Sequence, residues 1–438
     1  MDRRKFLTIA SLAGLAVAST DAFGSRPDGI TKKQNPLFES YRGPLYIMVN
    51  AGGGWDPTSL CDPKGAASLE NPKDAMNRSY LTKAIGETPS GIRYAPLGKD
   101  DNPSFFKEFF EKHDKRLLVI NGIDMATNGH ETGSRHTWSG RLAEGYPSFA
   151  ALAAAVAGRD LAMSYLSFGG YDDTQGQVAR TRSGNTQALA RIAYPDRMDP
   201  GNEESLFHSD NAAKAIFAAQ NARKERLLAK EQLPRVQRAV SVMYASRTGS
   251  NELKKLQQFL PEMLDESNNP LLRQIQVAVA AYKAGITVSV NLDIGGFDTH
   301  GDHDINQIPR LAMILEGLDF ITQECDRQGV GDNYVVMAGS DFGRTPGYND
   351  TNGKDHWAVS SVLAFGTGIR GGRAIGETSD RHDVLTVNKK TFKADPAGIR
   401  IEPRHIHQNL RRLAGIEKDE LMNFYPLAIP AEDDLQLF

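Results

Sequence analysis

Short apolar runs, each followed by glycine or polar residues, constrain the fold of this chain more than any other feature. They lie at 44–50 (PLYIMVN), 116–122 (RLLVING), 286–292 (ITVSVNL), 333–339 (NYVVMAG) and 360–366 (SSVLAFG). Runs of this length that are apolar almost throughout are typical of strands buried on both sides. Each run therefore predicts a strand in a sheet that is covered on both faces.

Stretches of helical periodicity lie between these runs. Apolar side chains recur at helical spacing in 269–284, and 309–327 shows the same pattern. The alternation of strand and helix predicts an α/β fold, with a mostly parallel sheet covered by helices on both faces. A passage at about 150–262 predicts a helical insertion, in which the helix 223–245 is broken near Pro234 because proline lacks the backbone donor.

Polar residues follow four of the runs, at the sheet edge where α/β proteins bind ligands. Asp56 follows the first run, and GHETGSRHT, which contains Thr132 and His136, follows the second. GGFDTHGDHD (295–304) follows the third run and SDFGRTPGYNDTNGKDHW (340–357) follows the fourth. Carboxylates that share one edge repel each other unless a cation neutralises them. The pattern therefore predicts a site for a divalent metal ion.

The stretch 295–304 supplies the strongest candidate ligands. Asp298 and His300 are two residues apart, so both point to one side if the strand continues through them. His303 is the reserve ligand, and Asp302 and Asp304 are expected to be solvated. A calcium loop of the EF-hand type is the less favoured alternative, because the glycine at its sixth position and its distant glutamate are missing. Mixed Asp and His ligands suit zinc or manganese, whereas carboxylate-rich shells suit calcium or magnesium.

The first two dozen residues have the composition of an export signal. Arg3 and Arg4 precede an apolar run of small residues that extends to Ala18. The run is shorter than the ~20 residues that span a bilayer, which disfavours the alternative of an uncleaved membrane helix. The arginine pair resembles a twin-arginine signal. We expect a signal peptide at 1–24, a linker at 25–42 and one domain at 43–438, exported or periplasmic through the twin-arginine machinery, with no stable membrane span after processing.

Composition excludes some partners. The 51 basic and 54 acidic residues provide no field of one sign that would hold nucleic acid or an anionic membrane. A small-molecule or surface-bound substrate fits this balance better. Cys61 and Cys325 are too few for a disulfide scaffold or a cysteine-rich zinc site, and the sequence leaves their pairing open.

Several motifs, in this order, carry a resemblance to a known family: GGFDTH, MAGSDFGRTP, KDHWAVSSVLAFGTGIRGG and AIGETSD. They resemble the exported bacterial family of unknown function numbered fifteen-oh-one, which is similar to the alkaline phosphatase and sulfatase superfamily. The resemblance covers most of the mature chain, with its specific motifs mainly in 294–380. It implies an alkaline-phosphatase-like fold and an exported, metal-dependent hydrolase that acts on phosphate or sulfate esters of small molecules or polysaccharides.

The resemblance also implies roles for individual residues. In ETGSRHTWSGR, which is similar to the sulfatase loop, Glu131 stands at the cysteine position. This leaves Thr132 as the candidate nucleophile, with His136 a further catalytic candidate, and Arg344 is expected to hold an anionic group. Phe342 stands where the S-D-H-G motif has histidine, so a second metal site is short of an imidazole. The metal ligands implied are Asp56, Asp298, His300, His303, Asp341, Asp355 and His356.

These departures also support a different function. A non-catalytic descendant of the fold would retain one metal ion and act as a binding or assembly component at the cell envelope. A third reading is another metal-assisted chemistry on the same framework. Fold similarity does not choose among the three, because function depends on the site.

Overall fold

The structure of the protein is a computed structural model that describes residues 41–70, 75–159, 161, 163–182, 194, 196–199, 202, 204–233, 236–237, 240 and 250–438. The predicted signal peptide, all but the last two residues of the predicted linker, and Pro234 lie outside these ranges. Among the described residues, no helix has the length and apolar composition that a membrane crossing requires.

A central sheet of eight strands organises the molecule. The strands of the chain are β1 (Leu45–Gly52), β2 (Gly86–Glu87), β3 (Arg93–Tyr94), β4 (Leu118–Asp124), β5 (Tyr165–Ser167), β6 (Arg180–Arg182), β7 (Ser289–Gly295), β8 (Tyr334–Ser340), β9 (Gly343–Arg344), β10 (His356–Trp357), β11 (Val359–Gly366) and β12 (Arg373–Ile375). The central sheet has the order β12-β4-β11-β8-β1-β7-β5-β6, and β2–β3 and β9–β10 form two small antiparallel pairs. Only β11 runs antiparallel to its neighbours in the central sheet, so the sheet is mostly parallel, as predicted.

Helices cover both faces of this sheet. The helices of the described residues are α1 (Phe105–His113), α2 (His130–Ser139), α3 (Phe149–Ala157), α4 (Asp210–Lys230), α5 (Ser250–Gln257), α6 (Pro270–Lys283), α7 (His303–Arg327) and α8 (Pro403–Leu413), and all but α4 contribute buried residues. Side chains of β1 alternate between two cores. Ile47 and Val49 lie in one core with residues of α1, α6 and α7, whereas Tyr46 and Met48 lie in the other with residues of α3 and α8. A sheet buried on both sides explains why its strands lack an apolar–polar alternation.

The five predicted strands are confirmed as β1, β4, β7, β8 and β11, and the two periodic stretches as α6 and α7. The exception to the parallel arrangement is β11, because its short connection from β8 returns it beside that strand in the opposite direction. Strands β5, β6 and β12 were not predicted. Each has three residues, too few for a hydrophobic period to be detected.

The predicted insertion at about 150–262 contains both sheet and helix. Helix α3 is almost wholly buried against the sheet, and β5 and β6 extend that sheet at one edge. Helix α4 begins at Asp210, well before the predicted start at residue 223, and ends at Lys230. None of its described residues is buried. Among the described residues of this region, core side chains therefore come from α3, the two edge strands and α5, whose Leu253 and Leu256 are buried.

The two cysteines are not joined in the structure. Cys61 lies beside Asn121 in the loop region after β1, and Cys325 lies on α7. Both thiols are free and buried, and burial raises the pKa of each well above its usual value. These are properties of inert core cysteines rather than of reactive thiols.

Two buried histidines of α8 predict a loss of stability in acid. Burial lowers the pKa of His405 to about 4 and that of His407 to about 3. In the unfolded chain both titrate near 6.5, so protons bind the unfolded state preferentially as pH falls from about 6.5 toward those values. We expect each histidine to reduce the free energy of unfolding by about 2–3 kcal/mol at pH 4.5 relative to pH 7.5.

Urea denaturation of the wild type and of His407→Gln at several pH values measures this effect. Glutamine keeps an N–H donor for the carbonyl of Thr137, which His407 Nε2 contacts at 2.8 Å, but does not titrate. The variant should show a shallower fall in stability below pH 6.5. Identical pH profiles for the two proteins would contradict the assignment.

Candidate metal centre

Loops that follow β1, β4, β7 and β8 meet at one edge of the central sheet. The glycine loop after β1 lies directly on the loop after β7, because Gly53 adopts φ +121° and a Cβ there would lie 2.5 Å from the backbone nitrogen of Asp298. The Gly53 N–H also donates to Asp341, the first residue after β8. This position therefore requires glycine, and the close approach brings the loops after β7 and β8 together.

Asp298 is the centre of the polar cluster at this edge. Its Oδ1 accepts a hydrogen bond from Arg344 at 2.8 Å and lies 3.1 Å from Nε2 of both His300 and His356. Its Oδ2 lies 3.5 Å from Nε2 of His130. Partial burial works against ionisation of Asp298, but the hydrogen bond from the Arg344 guanidinium and its positive charge lower the pKa of Asp298 to about 2. The carboxylate is therefore charged at neutral pH.

Hydrogen bonds at the outer nitrogens (Nδ1) of His300 and His356 determine whether the inner nitrogens (Nε2), which face Asp298, carry a proton or a lone pair. Nδ1 of His356 lies 2.7 Å from the carbonyl oxygen of Asn128, which can only accept a hydrogen bond. Nδ1 of His300 lies 2.7 Å from the carboxylate of Asp355. In the neutral rings both Nδ1 atoms therefore carry the proton, and both Nε2 atoms carry a lone pair. Those two Nε2 atoms are 3.0 Å apart.

Two lone pairs and a carboxylate oxygen thus converge on one point, which is unfavourable unless a metal ion or a proton lies between them. Two nitrogens bound to one tetrahedral zinc ion are about 3.3 Å apart, close to the separation seen here. His130 joins Asp298 and His356 in a group whose ligand atoms all lie within 4.8 Å of one another, and His300 Nε2 contacts two members of that group, Asp298 and His356. Three imidazoles and one carboxylate are a donor set that fits zinc or a similar transition metal.

Carboxylates behind these imidazoles hold them in place. Asp341 Oδ2 lies 2.9 Å from Nδ1 of His130, and burial raises the pKa of Asp341 despite this contact. The hydrogen bond with His300 lowers the pKa of Asp355. A carboxylate on the outer nitrogen fixes the tautomer of a metal-binding histidine and increases its basicity. Asp341 and Asp355, both predicted as ligands, are placed to support His130 and His300 instead.

Arg344 and Phe342 fill positions for which the sequence predicted other roles. The Arg344 guanidinium is fully buried and donates to the carbonyls of Gly53, Gly54 and Lys354 as well as to Asp298. It therefore fixes the loops rather than offering free donors to an anion. The Phe342 ring packs on two imidazoles, with centroids 4.4 Å from His356 and 4.9 Å from His130. Phe342 therefore places an apolar ring at the position where the S-D-H-G motif has a histidine.

Asp56 and His303 lie in a second, fully buried cluster. Asp56 Oδ2 is 2.6 Å from the ammonium of Lys354 and 3.0 Å from Nε2 of His303. Burial opposes ionisation of Asp56, but Lys354 and His303 outweigh it and hold the pKa of Asp56 well below its usual range. Burial lowers the pKa of His303, which keeps its ring neutral. The structure does not bring these two predicted ligands into contact with Asp298.

The catalytic candidates on α2 make no side-chain hydrogen bond to the metal cluster within the described ranges. His136 is buried, its Nδ1 faces the carbonyl of Met125 at 2.9 Å, and burial lowers its pKa. Thr132 is half-buried in the first turn of the helix, and in the described part of the chain no side-chain hydrogen bond joins it to Asp298 or the imidazoles. Asp304, expected to be solvated, accepts hydrogen bonds from Ser79 and Tyr348.

Sequence reasoning missed His130 and Lys354 as site residues. His130 is the first residue of α2, immediately after Gly129, and that position projects it toward the sheet edge. The position of His130 at the start of a helix that follows a buried strand could have indicated that it belongs to the site. Lys354 gave none, because a lysine in a polar, glycine-rich loop is ordinarily solvated.

The approach of the loop 349–354 to His300 predicts the effect of one glycine substitution. Asn349 and Thr351 both donate to the carbonyl of His300, and a Cβ at Gly353 would overlap that same carbonyl. We expect Gly353→Ala to displace His300 and weaken Zn²⁺ binding roughly 10-fold. Isothermal titration with Zn²⁺ measures this effect.

Gly347→Ala is the matched control, since it lies two residues before this loop and a Cβ there has nothing within 4 Å. It should bind Zn²⁺ as the wild type does. Equal affinity in the two variants would show that His300 is not positioned by this loop.

Comparison with known proteins identifies a family and several solved structures that are similar to this chain. No curated protein matches the chain at a significant level. Similar solved structures include a 2-O GAG sulfatase (10% identity, TM-score 0.32, 90% of this chain and 72% of that one) and a sulfatase from Pseudoalteromonas sp. (12%, 0.34, 90% and 70%). A mutant of TAB5 alkaline phosphatase is also similar (12%, 0.35, 86% and 99%). Residues 45–426 match the family described as "Protein of unknown function (DUF1501)", and the chain belongs to that family.

Proposed function

We propose that this protein is an exported, metal-dependent hydrolase of phosphate or sulfate esters, with a single metal centre formed by Asp298, His130, His300 and His356. The observation that carries the proposal is the 3.0 Å contact between the two Nε2 atoms of His300 and His356, whose outer partners leave both with lone pairs. An ester from a small molecule or a polysaccharide is the proposed substrate, and the twin-arginine pattern at Arg3 and Arg4 supports the proposed export.

The chain's own residues prepare the centre in three ways. Asp341 and Asp355 hold protons on the outer nitrogens of His130 and His300, so that the inner nitrogens remain free to bind. Arg344 keeps Asp298 ionised and fixed. Phe342 excludes water from beneath two of the imidazoles. A divalent ion bound there would polarise an ester oxygen and lower the pKa of a water molecule.

Water is favoured over a side-chain hydroxyl as the attacking group. In the ranges that the structure describes, no serine or threonine hydroxyl is hydrogen-bonded to the side chains of the four proposed ligands. Thr132 is the nearest candidate along the chain and lies two residues beyond His130. We therefore expect Thr132→Ala to retain most of the activity.

Metal content and ester hydrolysis test this function together. The chain is purified without chelator, its bound metals are measured, and the apo and Zn²⁺- or Mn²⁺-loaded forms are assayed with p-nitrophenyl phosphate, bis(p-nitrophenyl) phosphate and p-nitrophenyl sulfate. We expect one ion per chain and hydrolysis of at least one ester, lost on chelation and restored by metal. Asp298→Asn should abolish both the bound metal and the activity.

Two results would overturn the proposal in different ways. A chain that binds no divalent ion has no metal centre. A chain that binds one ion tightly but cleaves none of the esters is better described as a metal-binding envelope protein. The full burial of Arg344, with four of its five N–H groups already donated to the protein, keeps it from an anionic group and is the observation that would favour this second function.

A further inference from the structure

Oxygen atoms surround the ammonium group of Lys354 in the interior of the protein. Nζ lies 2.6 Å from Asp56 Oδ2, 3.3 Å from Asn77 Oδ1 and 3.4 Å from Thr58 Oγ1. Lys354, Asp56 and Thr58 are completely buried, and Asn77 almost so. The ring of Tyr348 covers the ammonium at 5.1 Å from its centroid. A carboxylate, an amide oxygen and a hydroxyl around one positive charge are the donors that proteins use to bind hard cations.

Thr299, His303 and the second oxygen of Asp56 are satisfied without an additional cation. Thr299 Oγ1 accepts from the Gln307 amide and can therefore give its own proton to Nδ1 of His303, 2.7 Å away. Nε2 of the neutral ring then carries the proton and donates it to Asp56 at 3.0 Å. His303 thus presents no lone pair to a metal ion. The second Asp56 oxygen accepts from the backbone and hydroxyl of Thr58.

The backbone fixes Lys354 between this pocket and the metal centre. Its N–H donates to the carbonyl of Thr299, and its carbonyl accepts from Arg344, which in turn holds Asp298. Two residues later His356 pairs with Arg344 across the short β9–β10 ladder. The short segment that contains Lys354 and His356 therefore places the ammonium beside Asp56 and also positions His356, a proposed metal ligand.

We propose that Lys354 supplies, as part of the chain, the cation of a second site, so that the pocket of Asp56, Thr58 and Asn77 is a hard-cation site filled by an ammonium group. Its occupancy by Lys354 explains why the predicted ligands Asp56 and His303 do not fit a metal ion in this protein. The corollary that each chain takes one inorganic ion rests on the proposed function.

The formal charges of the two clusters agree with a single exchangeable ion. Asp56 and Lys354 cancel each other. In the neighbouring centre Asp298, Asp341 and Asp355 are opposed by Arg344 alone, which leaves two negative charges. One divalent ion neutralises these, whereas a second, placed in the fully buried pocket beside Lys354, would leave an excess of positive charge there.

Replacement of the lysine in a background that lacks the first centre tests the proposal. Asp298→Asn/Lys354→Ala and Asp298→Asn are compared as full chains by thermal unfolding with increasing MnCl₂ and by metal content. We expect the double variant to bind one Mn²⁺ and to gain roughly 3–5 °C in Tm at 100-fold excess over Kd, whereas Asp298→Asn gains nothing. The triple variant that also carries Asp56→Asn should lose the response.

The outcome does not depend on whether the wild type hydrolyses esters or binds metal at Asp298. A double variant that refolds only when Mn²⁺ is present would support the inference as strongly as a shift in Tm. No change with Mn²⁺ in either Tm or bound metal would overturn it, as would a variant that folds in neither condition. A response that persists after Asp56→Asn would place the ion elsewhere and would also refute the pocket.

Discussion

Asp298→Asn is expected to lower the affinity of the chain for Zn²⁺ by at least about 100-fold, the largest effect on binding of any single substitution at the centre. The variant keeps the shape of the side chain and its contact with Arg344, but it removes the negative charge on which three imidazoles converge. Competition with a fluorescent zinc chelator measures the affinity. His356→Ala should weaken binding as well.

Asp302→Asn is the matched control for this experiment. It makes the same chemical change four residues away, on an exposed side chain at the start of α7. Asp302 has φ +44°, a left-handed conformation that asparagine tolerates at least as well as aspartate. Zn²⁺ affinity should change less than about 2-fold. A similar loss in both variants would mean that general electrostatics, rather than coordination by Asp298, attracts the ion.

The sequence predicted those strands that are buried on both faces, because such strands require a long run of apolar residues. Strands such as β1 and β8 carry seven or eight residues that are buried on both sides, and such a run has few alternatives. The direction of β11 carries no comparable signal, because a buried strand has the same composition in either direction. Short edge strands such as β6, with two arginines in three residues, have no apolar period at all.

The site was predictable at the level of loops but not of contacts. The rule that ligands gather beyond the carboxyl ends of strands indicated the right segments. Asp298 and His300 do converge, but they lie beyond the end of β7 rather than on its extension. The contact between the Thr299 hydroxyl and Nδ1 of His303, which fixes the tautomer of that histidine, is determined by tertiary structure. The burial of Lys354 beside Asp56 joins residues 298 positions apart, which no local pattern encodes.

Asp56→Asn is expected to lower the free energy of unfolding by about 3–5 kcal/mol, the largest effect on stability predicted for this chain. The substitution leaves the Lys354 ammonium without a countercharge at a position where both side chains are 0% exposed. Urea denaturation at pH 7.5 measures the loss. Glu111→Gln breaks an exposed ion pair with Lys107 and should cost about 0.5 kcal/mol or less.

A double substitution separates two causes of this loss of stability, namely the uncompensated charge of the buried Lys354 ammonium and the loss of the hydrogen bonds that Asp56 accepts. If the cost of Asp56→Asn arises from an uncompensated ammonium, then Asp56→Asn combined with Lys354→Met should be more stable than Asp56→Asn alone, because methionine has similar length and no charge. If the cost arises instead from the hydrogen bonds that Asp56 accepts from Thr58, the second substitution recovers nothing. Recovery of more than half the loss would therefore identify the buried charge of Lys354 as the quantity that Asp56 balances.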